Sequence, residues 1–387
     1  MTDFIHGVEH IENTDGVRTI RSQRLSIAGI VGTAPDIDAD LALDTPIRVS
    51  SRAEAALFGT SGTLAEALSG FFEAGGRDAV VVAVAEGASL ADSITAAAGD
   101  ATAMTGVHAL MASQSVLGIT PRVLVAPGLT SANALAQVNA VTAALSGVAS
   151  ALRAVAVVAG PNTTDADAIT AAALIGSDRV LFVDPYGLVS NPSLGSVPAD
   201  PCARIAGVMV SNPYWHSPSN KLIPGLLGPA RPIVHIPNDP DSQTNRLNAA
   251  NVATIINDGG VRLWGNRGTG TDPQTAFISV RRIRDAIGDA IVLGHRWAID
   301  RNISKTLGQD VVEGVNAFIR HLIQIGAIIN GRAWLDPELN TPASIAAGRI
   351  YINYDFAAST PLERLTFTSF INNDYYKELA DRIAEAA

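Results

Sequence analysis

Cysteine, lysine and aromatic residues are all scarce in this sequence. Its 387 residues include one cysteine, Cys202, and aromatic side chains make up 5% of the chain. A single cysteine cannot form a disulfide within the chain, so the fold does not depend on an oxidising compartment. The lysines are Lys221, Lys305 and Lys377, so nearly all of the positive charge is arginine. Arginine is favoured where a planar group must make a fixed ion pair, as at interfaces.

Targeting and membrane-spanning segments are also missing. The N-terminal stretch MTDFIHGVEHIE has neither the basic region nor the apolar region of a secretory signal peptide. The longest apolar runs, such as AVVVAVA at 79–85, are far shorter than the ~20 residues that a membrane helix needs. The net charge of −10 argues against a general nucleic-acid surface, which is basic. We expect a protein made in the cytosol, with no membrane insertion and no direct nucleic-acid partner.

Motifs of catalysis and of nucleotide binding are equally scarce. The loop GNRGTGTD, residues 265–272, lacks the Lys-Ser/Thr pair of a phosphate-binding loop. Its glycines are spaced G-x-x-G-x-G, the reverse of the G-x-G-x-x-G spacing of the dinucleotide fingerprint. We interpret it as a turn, with Asp272 capping a helix that has Pro273 at its first position. No G-x-S-x-G motif occurs, so no nucleophile elbow is predicted.

The remaining candidates for chemistry are single residues without partners in the sequence. The seven histidines show no H-E-x-x-H spacing and no cysteine pair beside them, which argues against a metal site. Cys202 has no histidine at a recognisable spacing, so we expect it to be a small buried residue and not a nucleophile. The sequence therefore predicts no catalytic residue, no cofactor and no metal.

What the chain does contain is a large supply of core residues. Hydrophobic residues make up 47% of it, charged residues 17%, and the mean hydropathy is +0.23. This composition is typical of a folded protein, and the length predicts roughly two or three domains. Much of the apolar content is alanine, valine and isoleucine, which suits closely packed α/β layers.

The middle of the chain alternates between short apolar runs and helical periods. Five runs predict strands: LSIAGIVGTAP, DAVVVAV, RVLVAPG, AVAVVAGP and RVLFVDPYG. Helix-like stretches at 64–74 and 131–146 lie between them. This pattern indicates a partly parallel sheet that is covered on both faces. From 191 to 245 the chain is rich in proline, glycine, serine and asparagine, and we predict an irregular region with a short helix near 201–210.

The C-terminal third is patterned differently. We predict helices near 243–257, 275–292 and 308–325, and a strand at 261–264. GRIYINYDF and LERLTFTSFI then alternate between apolar and polar residues with a period of two, which predicts two strands. The last stretch, NNDYYKELADRIAEAA, is an amphipathic helix with Tyr375, Leu379 and Ile383 on one stripe.

Two further features raise the question of a protein partner. The N-terminal stretch DFIHGVEHIENTDGVRTI is patterned as two strand pieces that must pair either with their own domain or with a neighbouring copy. A strand added to a neighbour would gain about five ladder hydrogen bonds, each worth ~1 kcal/mol net. The arginines of VRRIR (281, 282 and 284) form either a solvated helix face or a basic stripe facing an acidic partner. The pattern alone leaves both questions open.

Several stretches, taken in order, resemble one family. FIHGVEHIENTDGVRTIRSQRLSIAGIVGTAP is similar to the opening of the contractile tail sheath proteins of myophages and R-type bacteriocins, and FFEAGGRDAVVVAVAEG resembles their next landmark. VRLWGNRGTGTDPQTAFISVRRI is similar to their W-G-x-R-T…D-P…V-R-R segment, with Gly268 where the family usually has Thr. WLDPELNTPASIAAGRIYINYDFAASTPLERLTFTSFI resembles their closing strands.

The resemblance implies a fold that combines α/β and α+β parts. An inner sheath domain of mixed sheet and helices would be built from both chain ends, with an outer α/β domain inserted between them. The expected divisions are the N-terminal arm at 1–24, the outer domain at 25–240 with its irregular region at 191–245, and the inner domain at 241–387. The inner domain would include a linker strand at 362–371 and a terminal helix at 373–386.

The resemblance also implies a function and its sites. Copies would form stacked hexameric rings around a tail tube and contract to drive the tube through a cell envelope. The implied partners are other copies, the tail tube, and the baseplate and tail terminator proteins, in a virion tail assembled in the host cytoplasm. Strand exchange would use residues from both ends: Phe4, Ile5, Val8, Ile11, Leu365, Phe367 and Ile371. Arg281, Arg282 and Arg284 are the tube-facing candidates. An α/β enzyme or a soluble ligand-binding protein with an unrecognised pocket is the alternative.

Overall fold

The computed structural model describes residue 20 and residues 24–131 and 136–386 of the chain. Its strands are β1 (Ala28–Thr33), β2 (Ile47–Val49), β3 (Ala79–Val84), β4 (Val123–Val125), β5 (Val155–Ala159), β6 (Val180–Val183), β7 (Gly187–Asn191), β8 (Gly195–Ala199), β9 (Gly228–Pro229), β10 (Val252–Asn257), β11 (Val261–Trp264), β12 (Ile328–Leu335) and β13 (Ile352–Ala358). Its α-helices are α1 (Arg52–Ala55), α2 (Gly62–Glu73), α3 (Leu90–Ala98), α4 (Ser113–Leu117), α5 (Ala140–Leu152), α6 (Asp165–Ile175), α7 (Cys202–Ser211), α8 (Gln243–Ala249), α9 (Ile278–Gly294), α10 (Lys305–Gln324), α11 (Pro342–Ala346) and α12 (Tyr375–Glu385).

An eight-stranded sheet in the order β11-β10-β6-β5-β4-β1-β3-β2 dominates the α/β part. Its six inner strands are parallel, and the strand at each edge, β2 or β11, is antiparallel to its neighbour. The five apolar runs singled out in the sequence become β1, β3, β4, β5 and β6, which are contiguous in this sheet. The prediction of a mixed α/β fold is confirmed.

Helices cover both faces of this sheet. On one face, α2 and the almost wholly buried α7 pack against alternate strand residues such as Ile30 and Val81. On the other face, α3, α5, α6 and α8 pack against residues of the opposite parity such as Val31 and Val82. Successive residues of a strand point to opposite faces of the sheet. Because helices cover both faces, odd- and even-numbered residues must both be apolar, which explains the near-continuous apolar runs.

The structure differs from the sequence interpretation after residue 242. The predicted helix at 243–257 ends at Ala249, and VATIIN continues as β10 inside the large sheet. Residues 243–264 therefore complete the α/β unit, whereas the sequence interpretation began the inner domain at 241. The region 191–245, expected to be irregular, contains β8 and β9, which join β7 in a three-stranded sheet.

A second packing unit follows the large sheet. Helices α9 and α10 and the β12–β13 hairpin share a core that includes Ile283, Ile287, Phe318 and Leu322. The core also takes in Ile20, which packs against Gly294 at the end of α9. The helix α9 begins at Ile278, so Asp272 and Pro273 lie in a turn ahead of it and do not cap it as expected. Among the described helices, none is long and apolar enough to cross a membrane.

An arginine–aspartate network joins the two units. Asp285 on α9 accepts hydrogen bonds from Arg179 at 2.5 and 3.0 Å and from Arg281 at 2.6 Å, and Arg281 also donates to Asp178 at 3.1 Å. One turn further on, Asp289 pairs with Arg122 at 2.7 Å and Arg153 at 2.9 Å.

The three arginines on the sheet side share one position in the fold. Arg122, Arg153 and Arg179 each precede the first residue of a neighbouring parallel strand, β4, β5 or β6, by one or two residues. The amino ends of parallel strands lie along one edge of the sheet, so these cations converge on the two carboxylates of α9.

Asp285→Ala should destabilise the protein by about 3–5 kcal/mol, because it leaves the buried Arg179 without its counter-charge. Glu313→Ala, which removes the partner of Arg320 in a pair that is exposed on both sides, should change stability by less than about 1 kcal/mol. Urea unfolding measures both free energies. Equal small changes in the two variants would show that the network does not hold the units together.

Candidate assembly interface

The β12–β13 hairpin has sheet edges that no third described strand covers. Within the part of the chain that the structure describes, each of these strands pairs only with the other. An open edge carries backbone N–H and C=O groups that an additional strand can satisfy. The inner face of the hairpin packs on α9 and α10 through residues such as Ala333 and Phe356, which fixes the orientation of the edges.

The segment that follows the hairpin is extended and exposed. We define the C-terminal arm as residues 361–386. Its first part has no strand partner among the described residues, although LERLTFTSFI was predicted to be a strand. Leu365 is 63% exposed, Phe367 87% and Ile371 94%. These apolar side chains alternate along the chain as in a strand that is buried on one face, yet they are exposed in the part of the chain that the structure describes.

The terminal helix of the arm is likewise without a packing surface. Helix α12 forms within the predicted range 373–386, and no residue of it is buried. Tyr375, Leu379 and Ile383 form an exposed apolar stripe. An amphipathic helix gains most of its stability from packing this face, so α12 resembles the preceding segment in presenting a contact surface that the described residues do not cover.

An ion pair fastens the arm close to its origin. The Arg267 guanidinium donates to both carboxylate oxygens of Glu363, at 2.9 and 2.6 Å, and also lies over the Phe277 ring at 5.0 Å. The hydrogen bond to Glu363 raises the pKa of Arg267. From Arg364 to residue 386 every described side chain is exposed, so this ion pair marks the point at which the arm leaves the subunit.

The loop that carries Arg267 is a structural turn, as predicted. The amide of Gly268 donates to Ala276, the amide of Thr269 donates to Val180, and the amide of Gly265 donates to Ser219. A Cβ on Gly270 would lie 2.6 Å from the backbone of Asp178. These N–H groups already donate hydrogen bonds within the protein, so they cannot bind a phosphate.

A groove of about 900 Å³ separates the start of the arm from the α/β unit. Trp215, Asn248 and Trp264 line it on one side, and Thr360 and Leu362 on the other. Across the described ranges, no group of three or more His, Cys, Asp or Glu side chains is placed to share a metal ion. Cys202 is buried, as predicted, and burial raises the pKa of its thiol well above the ordinary value.

The tube-facing prediction does not hold for two of its three arginines. Arg281 is engaged by Asp285 and Asp178. Arg282 is buried and donates to the carbonyls of Met209 and Leu25, and burial lowers its pKa to about 10. Because both cations are held inside the subunit, only Arg284 remains exposed as a candidate.

The sequence-predicted exchange residues fall into two groups. Phe4, Ile5, Val8 and Ile11 lie outside the described residues. Leu365, Phe367 and Ile371 lie together on the exposed arm. Sequence reasoning missed the Arg267–Glu363 pair because its members are 96 residues apart and neither belongs to a local motif.

Comparison with known proteins gives consistent matches along the chain. A family model described as the phage tail sheath protein central domain matches residues 78–269, and one described as the phage tail sheath C-terminal domain matches residues 270–372. The chain is 35% identical to a prophage major tail sheath protein of Pseudomonas aeruginosa (strain UCBPP-PA14), over 98% of this chain and 99% of the relative. It is 29% identical to the tail sheath protein of Escherichia phage P2, over 99% of each chain.

Solved structures show the same fold. The helical sheath of the anti-feeding prophage in its contracted state superposes with a TM-score of 0.72 at 19% identity, covering 96% of this chain and 100% of that one. The contracted sheath complex of the extracellular contractile injection system PVC gives a TM-score of 0.70 at 16% identity, covering 97% and 100%.

Arg267→Gln should loosen the start of the arm and speed tryptic cleavage of the isolated subunit after Arg364 by about two- to fivefold. That range corresponds to the loss of an exposed ion pair worth up to about 1 kcal/mol. Mass spectrometry of a digestion time course measures the rate, with cleavage after Lys377 on α12 as the internal standard and Arg320→Gln as the matched variant. An unchanged rate after Arg364 would mean that the ion pair does not restrain the arm.

Proposed function

The chain belongs to the phage tail sheath family, and from this membership we propose that its two terminal arms link copies of the chain by adding strands to neighbouring sheets. Members of this family are structural proteins and not enzymes, and the chain is a structural subunit of a contractile sheath. The enzyme and ligand-binding alternatives have no support from the relatives.

One observation carries the strand-exchange proposal. The same subunit has an open two-stranded sheet and an extended apolar segment that pairs with no strand among the described residues. Side chains as exposed as Phe367 and Ile371 form a surface of the kind that marks a protein interaction site. Pairing this segment with a neighbour would satisfy its backbone groups and bury its apolar face in one step.

The assembly follows from repeating this link. Copies of the chain would form hexameric rings that stack around a tail tube, with each ring tied to others through the arms. The binding free energy of a single strand link is small. Many simultaneous links hold the polymer together, because each link raises the effective concentration of the segments that form the next one. Contraction would shorten and widen the stack and drive the tube through the target envelope, with the strand links kept while subunit faces slide and repack.

The two packing units have distinct places in this proposal. The unit built on α9, α10 and the hairpin, together with the N-terminal arm, would form the inner layer of the sheath. The α/β unit with the large sheet would form the outer layer. Exposed Arg284 on α9 remains a candidate for contact with the tail tube, as does α12.

Tail sheath proteins are components of the virion, and self-assembly is the partnership that the relatives support. We further propose contacts with the tail tube, the baseplate and the tail terminator, and assembly in the host cytoplasm. Each of these contacts would be protein–protein, in keeping with the net charge of −10.

Proline in the exposed arm should block assembly without unfolding the subunit. Thr368→Pro and Ser369→Pro each remove one backbone N–H, and neighbouring N–H groups on a strand point in opposite directions, so at least one of the two must lie in the intermolecular ladder. We expect that variant to pellet at least tenfold less polymer than its alanine counterpart, Thr368→Ala or Ser369→Ala. Sedimentation and negative-stain microscopy give the readout, and circular dichroism checks the fold. Normal sheaths from both proline variants would refute strand donation by this arm.

Deletion of residues 1–12 should leave a folded, soluble subunit that does not polymerise. The expected reason is loss of the second donated strand, which the resemblance to tail sheath proteins implies at about Phe4–Ile11. Microscopy of the truncated protein beside the full chain tests this. Long sheaths from the truncated protein would show that the N-terminal arm is not a link.

A further inference from the structure

Strand β12 contains the one Asn-Gly pair of the sequence, Asn330–Gly331. Asn330 is exposed, and the pairing register of the hairpin shifts between Ile328 and Asn330, as it does at a β-bulge. At a bulge one strand carries an extra residue, and the ladder of hydrogen bonds is locally interrupted. The Asn-Gly pair therefore lies where β12 is least regular.

The main-chain N–H of Gly331 faces away from β13. Two residues further on, the Ala333 N–H donates to the side-chain oxygen of Asn316 on α10 at 2.8 Å, so it does not bond to β13. Residues two apart on a strand present their N–H groups to the same side, and the Gly331 N–H therefore also points to the outer edge of β12. There it donates to Oδ1 of the adjacent Asn330 at 2.8 Å.

This contact brings a nitrogen close to the carbon of a side-chain amide. A C=O bond is about 1.2 Å long, so the Gly331 nitrogen lies within about 4 Å of Cγ of Asn330. Atoms held about 3–3.5 Å apart are close enough to react once their orbitals are aligned. Because the Asn330 side chain is exposed, it can rotate to bring Cγ in front of the nitrogen.

Packing against β13 requires glycine at position 331. A Cβ there would lie 2.6 Å from the carbonyl oxygen of Asp355 and 3.1 Å from Cα of Phe356. A side chain on the residue after an asparagine obstructs attack by that residue's nitrogen on the asparagine amide. The close approach of β13 thus excludes the side chain that would protect Asn330.

We propose that Asn330 is a modification site at which the folded subunit deamidates itself without an enzyme. The Gly331 nitrogen bonds to Cγ of Asn330, the bond from Cγ to Nδ2 breaks, and ammonia leaves with the proton that the attacking nitrogen gives up. Water then opens the five-membered succinimide ring. Cleavage of the new bond between nitrogen and Cγ gives aspartate, and cleavage of the original peptide bond gives isoaspartate.

Isoaspartate at position 330 would distort β12, because it routes the main chain through Cβ and adds one atom to the strand. On one side of the site, Ile328 is buried in the core at 2% exposure. On the other side, the amide of Asn316 holds both main-chain groups of Ala333, at 2.8 and 3.2 Å. The added length cannot be passed along the strand in either direction, so the ladder between these two fixed points must shift.

The expected consequence is that subunits with isoaspartate at 330 are excluded from sheaths. This consequence rests on the proposed strand exchange, which uses the edges of the same hairpin. The modification itself does not rest on it, because every contact that favours the reaction lies within one subunit.

Peptide mapping by mass spectrometry tests the site in the folded subunit at mildly alkaline pH. Asn302 is the internal standard, because it is also exposed but is followed by Ile303, whose branched side chain obstructs the attack. We expect Asn330 to exchange its amide for a carboxyl group at least tenfold faster than Asn302. Equal rates at the two positions would overturn the proposal, and so would modification of Asn330 that occurs only after unfolding in urea.

Sedimentation of partly modified subunits tests the consequence for assembly. Isoaspartate at 330 should be at least tenfold scarcer in the pelleted polymer than in the supernatant, as measured by fragmentation that distinguishes it from aspartate. Asn330→Gln keeps an amide but must close a larger ring, so it should retain its capacity to assemble through the same incubation. Asn330→Ser, which has no amide, serves if the glutamine variant does not fold.

Equal isoaspartate content in pellet and supernatant would refute the exclusion of modified subunits. Peptide mapping of the free subunit decides the modification without reference to assembly. The Thr368→Pro and Ser369→Pro variants test strand exchange without reference to position 330, so a failure of this inference and a failure of the proposed function give different results.

Discussion

Backbone hydrogen bonding is the constraint on which this structure depends. The subunit pairs its main-chain groups in an eight-stranded sheet, a three-stranded sheet and a hairpin, yet leaves an extended segment of its C-terminal arm without a ladder partner among the described residues. Water can satisfy that backbone in a free subunit, but it cannot bury Phe367 and Ile371. A second copy of the chain can satisfy the backbone and bury the side chains together. In the proposed strand exchange, the described fold of the subunit is kept and its arm is buried against a neighbouring copy.

The arginine–aspartate network determines where the molecule is stiff and where it can bend. Asp285 and Asp289 on α9 hold arginines from the amino ends of three neighbouring strands, and Arg179 and Asp285 are almost fully buried. Removing one member of such a pair leaves a buried charge uncompensated, so separating the two units costs far more than moving the exposed arm. The Arg267–Glu363 pair is exposed on both sides and therefore weak. Large movements between copies are accordingly expected at the start of the arm and not between the two units.

Sequence patterns predicted the elements whose signal is local. The sequence predicted five buried strands, β1, β3, β4, β5 and β6, because the residues on both faces of each strand are apolar. It predicted α12 because the apolar residues of that helix recur at helical spacing. β10 was missed because VATIIN directly follows a helical stretch, and short apolar runs are compatible with either structure. β12 was missed because glycine and arginine interrupt its alternation. The positions of Arg281 and Arg282 could not be predicted, because their partners lie on remote segments such as Asp178 and Met209.

The large sheet also shows why an α/β unit of this type serves as a structural block. In open α/β sheets, ligands bind at the carboxyl ends of the strands where the strand order reverses, and here that point lies between β1 and β4. The carboxyl group of Asp200 lies beside the loop that follows β4 and accepts hydrogen bonds from the amides of Gly128 and Cys202, both at 2.8 Å. Burial raises the pKa of Asp200, and the two amide donors oppose that rise. At this end of the sheet, the Gly128 amide that follows β4 is therefore hydrogen-bonded to a side chain of the protein itself. The sheet contributes rigidity, and in the proposed assembly the arms and the open hairpin edge make the contacts between copies.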